Sequence, residues 1–400
     1  MSASGTSARG TNAGGTSAGG TSAGGTRLGE IARLFLRLGT IAFGGPAAHI
    51  ALFEDEVVRR RGWLSRQQFL DLLGATNLIP GPNSTEMAIH IGHQRAGWCG
   101  LLVAGFCFIL PAAGIVTALA WVYVRFGSLP AAAGLLYGLK PVVIAIVLQA
   151  LWRLASSAVK TVELGALAIA AAVANAVGGN EILVLVAAGV LGIVVARVRR
   201  QTAVSALLLG GVPVPFAAVP VAIAAAPFSL GALFLFFAKV GAVLFGSGYV
   251  LLAFLRADLV TRWHWLSDTQ LLDAIAVGQI TPGPVFTTAT FVGYVLGGLP
   301  GALVATVGIF LPAFVFVAAS GPLVPRLRRS ATTAAVLDGV NVASLALMAV
   351  VTWKLAGDAI VDTPTAVLAG GALLVLLASS FSSSWLVLAG AVVGLAKTLL

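Results

Sequence analysis

Unbroken apolar runs constrain this chain more than any other feature. The stretch Ile182–Val195 contains no polar side chain, and similar runs recur along the sequence. Inside a bilayer every backbone N–H and C=O must be satisfied within the protein, which leaves helices and closed barrels. Barrel strands alternate apolar with polar residues, and these runs do not. Only 10% of the residues are charged and 58% are hydrophobic, against about 25% charged in a soluble domain. The fold class read from this is all-α: a polytopic membrane helical bundle, with the lipid bilayer as its surroundings.

The net charge of +10 reads mainly as topology, because Lys and Arg gather in cytoplasmic loops. No basic stripe with interleaved aromatics lies on a soluble domain, so nucleic acid is not an expected partner. Cys99 and Cys107 are the only cysteines and share one apolar run. They can build neither a disulfide framework nor a structural zinc site.

Residues 1–26 are a near-repeat of Gly-Thr-Ser-Ala-Gly, with no apolar core of a signal peptide and no large apolar residue after Met1. They read as a flexible tail. Beyond it the chain repeats itself. Phe43-Gly44-Gly45 recurs as Phe245-Gly246-Ser247, Trp63-Leu64-Ser65 as Trp265-Leu266-Ser267, Asp71 as Asp273, and Pro80-Gly81-Pro82 as Pro282-Gly283-Pro284, each 202 positions on. After a one-residue gap the offset is 201, matching Leu110-Pro111 to Leu311-Pro312 and Gly138 to Gly339. The chain is therefore a tandem duplication. Its repeats occupy 27–200 and 230–400, joined by 201–229, a proline-bearing linker or extra span.

Each repeat is expected to begin with a helix (28–50 and 230–253), whose Gly44-Gly45 and Gly246-Ser247-Gly248 read as close helix packing or a break rather than a phosphate loop, and an amphipathic stretch ending in Trp-Leu-Ser. Two short helices broken at Pro-Gly-Pro follow. Long helices come next near 97–124, 131–154, 161–178 and 181–198, with counterparts near 297–319, 332–356, 359–379 and 384–400. Equivalent loops carry opposite charge bias. Arg153 and Lys160 correspond to Lys354, Asp358 and Asp362, whereas Arg125 corresponds to Arg326, Arg328 and Arg329. By the positive-inside rule the repeats are inverted, an architecture of secondary transporters. Ten spans with a re-entrant Pro-Gly-Pro pair, or thirteen with a spanning linker, both satisfy this. They differ on which side holds Arg59–Arg61.

The chemistry concentrates at the breaks. Proline ends one short helix and starts another, and Asn83, Ser84 and Thr85 stand where they can cap the second, beside Gly81. Thr287 and Thr288 follow Gly283 and Pro284 in the other repeat. Two half-helix N-termini at membrane depth form an anion cradle; the competing reading is an ordinary kinked helix. Arg37 and Lys239 match in register, and Lys140 sits beside Pro141 in an apolar segment. They are candidate counter-charges, with snorkelling as the alternative for Arg37. Glu56 and Asp258 match, as do Asp71 and Asp273. They are candidates for coupling or gating, or for ion pairs with Arg59, Arg60 and Arg262. Asn77, Gln279, Glu86 and His90 complete the polar inventory as further candidates for coupling or gating, the last two at i and i+4. His90 and His93 alone are too few for a metal site, and no cofactor is expected. Protease, esterase and Walker motifs are missing from the sequence.

Phe43-Gly44-Gly45-Pro46-Ala47-Ala48-His49-Ile50, the run Glu54 to Leu64, Leu78-Ile79-Pro80-Gly81-Pro82-Asn83-Ser84-Thr85 and Phe108-Ile109-Leu110-Pro111 closely resemble the chromate ion transporter (CHR) family. In the second repeat Gly246-Ser247-Gly248-Tyr249, Gly278 to Pro284 and Phe310-Leu311-Pro312 are similar to that family's partner domain. The resemblance covers nearly everything from residue 28 onward. It implies a two-domain, multi-pass carrier of the bacterial inner (plasma) membrane that exports chromate and confers resistance, with an odd number of spans. Sulfate has the same shape and charge as chromate, so a carrier of sulfate or a related oxyanion remains an alternative. So do a passive anion channel and an enzyme acting on an anionic lipid. Oligomeric state stays open, with a homodimer among the options.

Overall fold

The computed structural model describes residues 20–43, 45–127, 129–202, 227–245, 250–379 and 383–399. The first repeat comprises α1 (Gly20–Ile41), α2 (Gly45–Glu54) running into a π-helical turn (Asp55–Arg60), α3 (Arg66–Thr76), α4 (Asn83–Phe126), α5 (Pro130–Ala158), α6 (Val162–Ala176) and α7 (Glu181–Thr202). The second follows the same order: α8 (Leu230–Val243), α9 (Leu251–Phe254) with a π-helical turn (Leu255–Arg262), α10 (Asp268–Ile280), a short 3-10 turn (Val285–Thr287), α11 (Thr288–Arg329), α12 (Ala331–Ala359), α13 (Thr363–Ala378) and α14 (Ser383–Leu399). Helix α1 starts at Gly20, inside the stretch read as tail; an established helix propagates at little cost into flanking residues. Residues 1–19, most of the linker 201–229 and Gly246 to Tyr249 lie outside the described residues.

The first helix of each repeat, expected to run through 28–50 and 230–253, instead breaks and folds back. Phe35 packs edge-on against Phe53, with ring centroids 5.8 Å apart. Arg37 reaches Glu56, and His49 Nε2 bonds the Ala42 carbonyl at 3.0 Å. In the second repeat Lys239 meets Asp258 and Phe236 packs on Trp263. Pro46 lacks an N–H to continue α1, and its fixed φ suits the first turn of α2.

A second hairpin follows. Capping boxes open α3 (Ser65 with Gln68) and α10 (Ser267 with Gln270), each satisfying two otherwise unpaired amides. The chain turns at Pro-Gly-Pro, and residues 83–95 return beside α3. Asn83 Nδ2 donates to Asn77 Oδ1 at 2.9 Å near the tip, and the Arg95 guanidinium lies 5.0 Å over the Trp63 ring at the base. Helix α4 then reverses at Ala96 and Gly97, whose φ is +60°. A Cβ added to Gly92 would lie 2.2 Å from the Gly100 carbonyl oxygen, whereas eight residues of straight helix span about 12 Å. Gly293, Gly298 and Gly301 repeat this reversal in α11.

Among the described residues each repeat thus has two helical hairpins and four end-to-end helices. Both span counts, ten and thirteen, let the first helix cross, whereas among the described residues it folds back on the next; the thirteenth span falls on the linker, most of which lies outside the described residues. Equivalent helices run in opposite directions. Lys160, beyond α5, pairs with Asp338 near the start of α12 at 2.7 Å. Tyr137, near the start of α5, donates to Asp362 beyond α12 at 2.6 Å. The repeats are therefore inverted, and they interlock: α5 packs on α14 and α12 on α7. Glycines allow these crossings, since a Cβ on Gly138 would lie 1.9 Å from the Gly390 oxygen and one on Gly192 2.3 Å from that of Ala335.

Trp353 is 82% exposed and Val162 88% exposed on the outer surface. In water such residues would be a liability; against lipid they are the expected coat.

Candidate functional site

The hairpin tips meet in two symmetry-related pairs, each joined by one backbone hydrogen bond. Gly81 N–H donates to the Leu244 carbonyl at 2.8 Å, and Gly283 N–H to the Ala42 carbonyl at 2.9 Å. Both donors and both acceptors match in the 202 register, so each Pro-Gly-Pro turn is tied to the break in the other repeat's first hairpin. The packing is equally reciprocal. A Cβ on Gly81 would meet Ala313, and one on Gly283 would meet Ala112 at 2.6 Å. The symmetry is incomplete, since His49 adds a second donor to the Ala42 carbonyl and Leu251 occupies the equivalent place.

The residues after Pro-Gly-Pro do not cap α4. Its N-cap is Pro82, and no side chain bonds the first-turn amides. Asn83 is already the first helical residue, from which a side chain cannot reach forward to the next amides; it bonds Asn77 instead. Ser84, Thr85 and Glu86 are buried. Thr85 Oγ1, both Glu86 oxygens and His90 Nε2 have no hydrogen-bond partner. In the second repeat Thr287 donates to the Pro284 carbonyl and Thr288 to that of Val285, both at 2.8 Å. Gln279 is half-buried at the end of α10.

The expected counter-charges are each engaged by a carboxylate. Arg37 Nη1 lies 3.4 Å from Glu56 Oε1, and Glu56 is held also by Arg60 and Arg61. Lys239 and Arg262 both bind Asp258. The two register-matched cations therefore pair with the two register-matched acids. The Arg37 side chain is 55% exposed, whereas that of Asp258 is 2% exposed. Lys140 Nζ lies 3.0 Å from Asp273 Oδ1, and Tyr123 donates to Asp273 Oδ2 at 2.8 Å. These three line a cavity of about 630 Å³ between the repeats, together with Tyr137, Gln270 and Asp358. Sequence reasoning placed Asp273 near the break but did not connect it to Lys140, 133 positions away; Tyr123 gave no signal because a lone tyrosine near a helix end is ordinary.

Inverted repeats interlocked around broken helices, with polar groups at the breaks and a lipid-facing apolar coat, define a multi-pass membrane protein built as transporters are. The chromate transporter family model matches residues 29–193 and again 231–395, and the chain belongs to that family. It is 35% identical to a chromate transport protein of Cupriavidus metallidurans, over 91% of this chain and 91% of that one. It is 30% identical to a probable chromate transport protein of Synechococcus elongatus, over 84% and 87% of the two chains. A chromate transport protein of Pseudomonas aeruginosa is 33% identical over 80% of this chain and 79% of its own. No solved structure matches the chain.

Proposed function

We propose that this protein exports chromate from the bacterial cytoplasm across the inner membrane and so confers chromate resistance, by alternating access in which one repeat rocks against the other. The observation that carries this reading is the pair of register-matched bonds from Gly81 to Leu244 and from Gly283 to Ala42. They tie the four helix breaks together in two symmetry-related pairs at the interface between the repeats, and inverted-repeat carriers bind substrate at such an interface.

A tetrahedral dianion needs donors and positive potential. The uncapped first turn of α4 and the unpartnered Thr85 hydroxyl supply donors; Thr287 and Thr288 in the other repeat would join them by turning their hydroxyls from the Pro284 and Val285 carbonyls. The helix N-terminus supplies potential. Lys140, Arg37 and Lys239 serve as counter-charges that the anion borrows from Asp273, Glu56 and Asp258. Those carboxylates reclaim the cations on release, so the pairs act as gates. Asn77 and Gln279, at the ends of α3 and α10, flank the two Pro-Gly-Pro turns.

The Lys160 face also carries Arg59, Arg60, Arg61, Arg66 and Arg95, which makes it cytoplasmic by the positive-inside rule. The cavity at Lys140 then faces outward. An inside-negative potential drives a dianion outward with about 4.6 kcal/mol per 100 mV, enough for export without any other energy source. Chromate flux into inside-out vesicles tests the reading. It predicts saturable uptake that sulfate inhibits and that an imposed potential accelerates. Uptake equal to that of vesicles lacking the protein under every gradient would sink it.

A further inference from the structure

We propose that Glu86, His90 and His93 form a proton ladder, and that protonation of Glu86 is required for an oxyanion to occupy the junction. The inference rests on the oxyanion reading above and adds a second substrate, the proton, so that the loaded site carries one net negative charge outward rather than the two counted for the dianion alone.

The three residues lie at i, i+4 and i+7 on the returning limb of α4, so one helical face aligns them over about 10 Å. Glu86 sits at the hairpin tip, fully buried, with neither oxygen partnered. A Cβ on Gly81 would come within 2.3 Å of its Oε1, so the carboxyl lies directly against the Pro-Gly-Pro turn. His90 is 7% exposed with its Nε2 unpartnered. His93 is half-buried against Trp98, towards the Lys160 face.

No charged group among the described residues reaches Glu86. On α1, Arg37 is held by Glu56 and Glu30 by Arg95. On α2, His49 faces the Ala42 carbonyl and Glu54 pairs with Arg66 of α3. Asp71 bonds Gln67 along α3. On α10, Asp268 pairs with Arg256 and Asp273 with Lys140. Helix α11 offers only Tyr294 before Arg326. An isolated carboxylate in such a place is costly, and the group is retained there neutral.

The second repeat shows what structure alone requires. There, in the 201 register of the reversal glycines, the ladder positions hold Thr287, Phe291 and Tyr294, and Thr287 satisfies itself on the Pro284 carbonyl. A hydroxyl serves at the tip, so the acid in the first repeat does something a hydroxyl cannot: bind and release a proton. An ionised Glu86 beside the first-turn amides repels a dianion; the neutral acid does not. Proton and oxyanion therefore bind together, each raising the affinity for the other. The chemistry is one proton added to a carboxylate oxygen and later removed, with no other bond changed.

The test is sulfate binding to the purified protein as a function of pH, since sulfate stays dianionic throughout. Wild type is expected to lose affinity about tenfold per pH unit once Glu86 ionises. Glu86→Gln, a permanent mimic of the neutral acid, is expected to bind at every pH with a flat profile. In His90→Phe, which carries the second repeat's residue, the equilibrium slope persists but proton uptake on sulfate addition slows. A flat wild-type profile, a slope retained in Glu86→Gln, loss of binding in a monodisperse Glu86→Gln protein, or unchanged uptake in His90→Phe would each overturn the proposal. Absence of saturable oxyanion binding in wild type would instead remove the reading beneath it.

Discussion

Replacing Gly283 by alanine probes the junction where the account places transport. Gly283 has φ +87°, and an L-residue forced into left-handed backbone costs roughly 1–2 kcal/mol. The new methyl would stand 2.6 Å from Ala112 Cβ and 3.1 Å from the Gly39 carbonyl oxygen, where carbon atoms prefer about 3.5–4.0 Å. Relieving that overlap costs about 1–3 kcal/mol, and shifting the tip endangers the Gly283–Ala42 hydrogen bond. The expected loss is about 2–5 kcal/mol in all, a large part of a typical total of about 5–15 kcal/mol. Gly357→Ala is the control: it lies within helix α12 and its Cβ meets nothing within 4 Å. That change is expected to be neutral or to stabilise by about 0.5–1 kcal/mol. Unfolding of the two variants in detergent, with chromate flux measured in parallel, checks the reasoning. A Gly283→Ala protein as stable and active as wild type would refute the close reciprocal docking of the tips.

Asp258→Asn leaves Lys239 and Arg262 without their shared anion and is expected to destabilise by about 3–5 kcal/mol. Adding Lys239→Met should recover part of that loss in unfolding experiments, and no recovery would contradict the pairing. Arg60→Cys should react with an impermeant thiol reagent only from the cytoplasmic side, and Asp362→Cys only from the outside. The opposite pattern would reverse the orientation. At Asp362 the hydroxyl of Tyr137, then Lys397, then the Thr365 amide hold the carboxyl well below the usual range. Its contribution to stability is full at neutral pH and fades as pH falls below about 4. The gap in thermal stability between wild type and Asp362→Asn should close over that window; a gap independent of pH would contradict this.

Much of this architecture was legible because duplication writes itself into sequence. The constant register of Trp-Leu-Ser and Pro-Gly-Pro revealed two repeats, and opposed charges at Arg125 and Arg326–Arg329 gave their inversion. Helix limits of α5 to α7 and of α12 to α14 followed from the apolar runs. The fold-back of α1 onto α2 was half legible: Gly44-Gly45 allowed either close helix packing or a broken first helix, and flanks apolar enough to read as one helix concealed the reversal. The bonds from Gly81 and Gly283 use backbone groups, which leave no trace in residue identity. Nor could residue spacing join Lys140 to Asp273. Register singled out Arg37 and Lys239, and the same register pointed to Glu56 and Asp258 nineteen residues on. Treating the two matches as separate features, rather than as one repeated ion pair, left those cations as free counter-charges.

The central claim is that the chain is a carrier whose site alternates between faces, and tracer counterflow tests that most directly. Proteoliposomes holding the purified protein would be preloaded with unlabelled sulfate and diluted into a trace of radiolabelled chromate, with the membrane potential clamped at zero. Alternating access predicts a transient uphill accumulation of label driven by sulfate leaving. Label that only equilibrates, without overshoot, at any sulfate load would contradict it and indicate a passive pore.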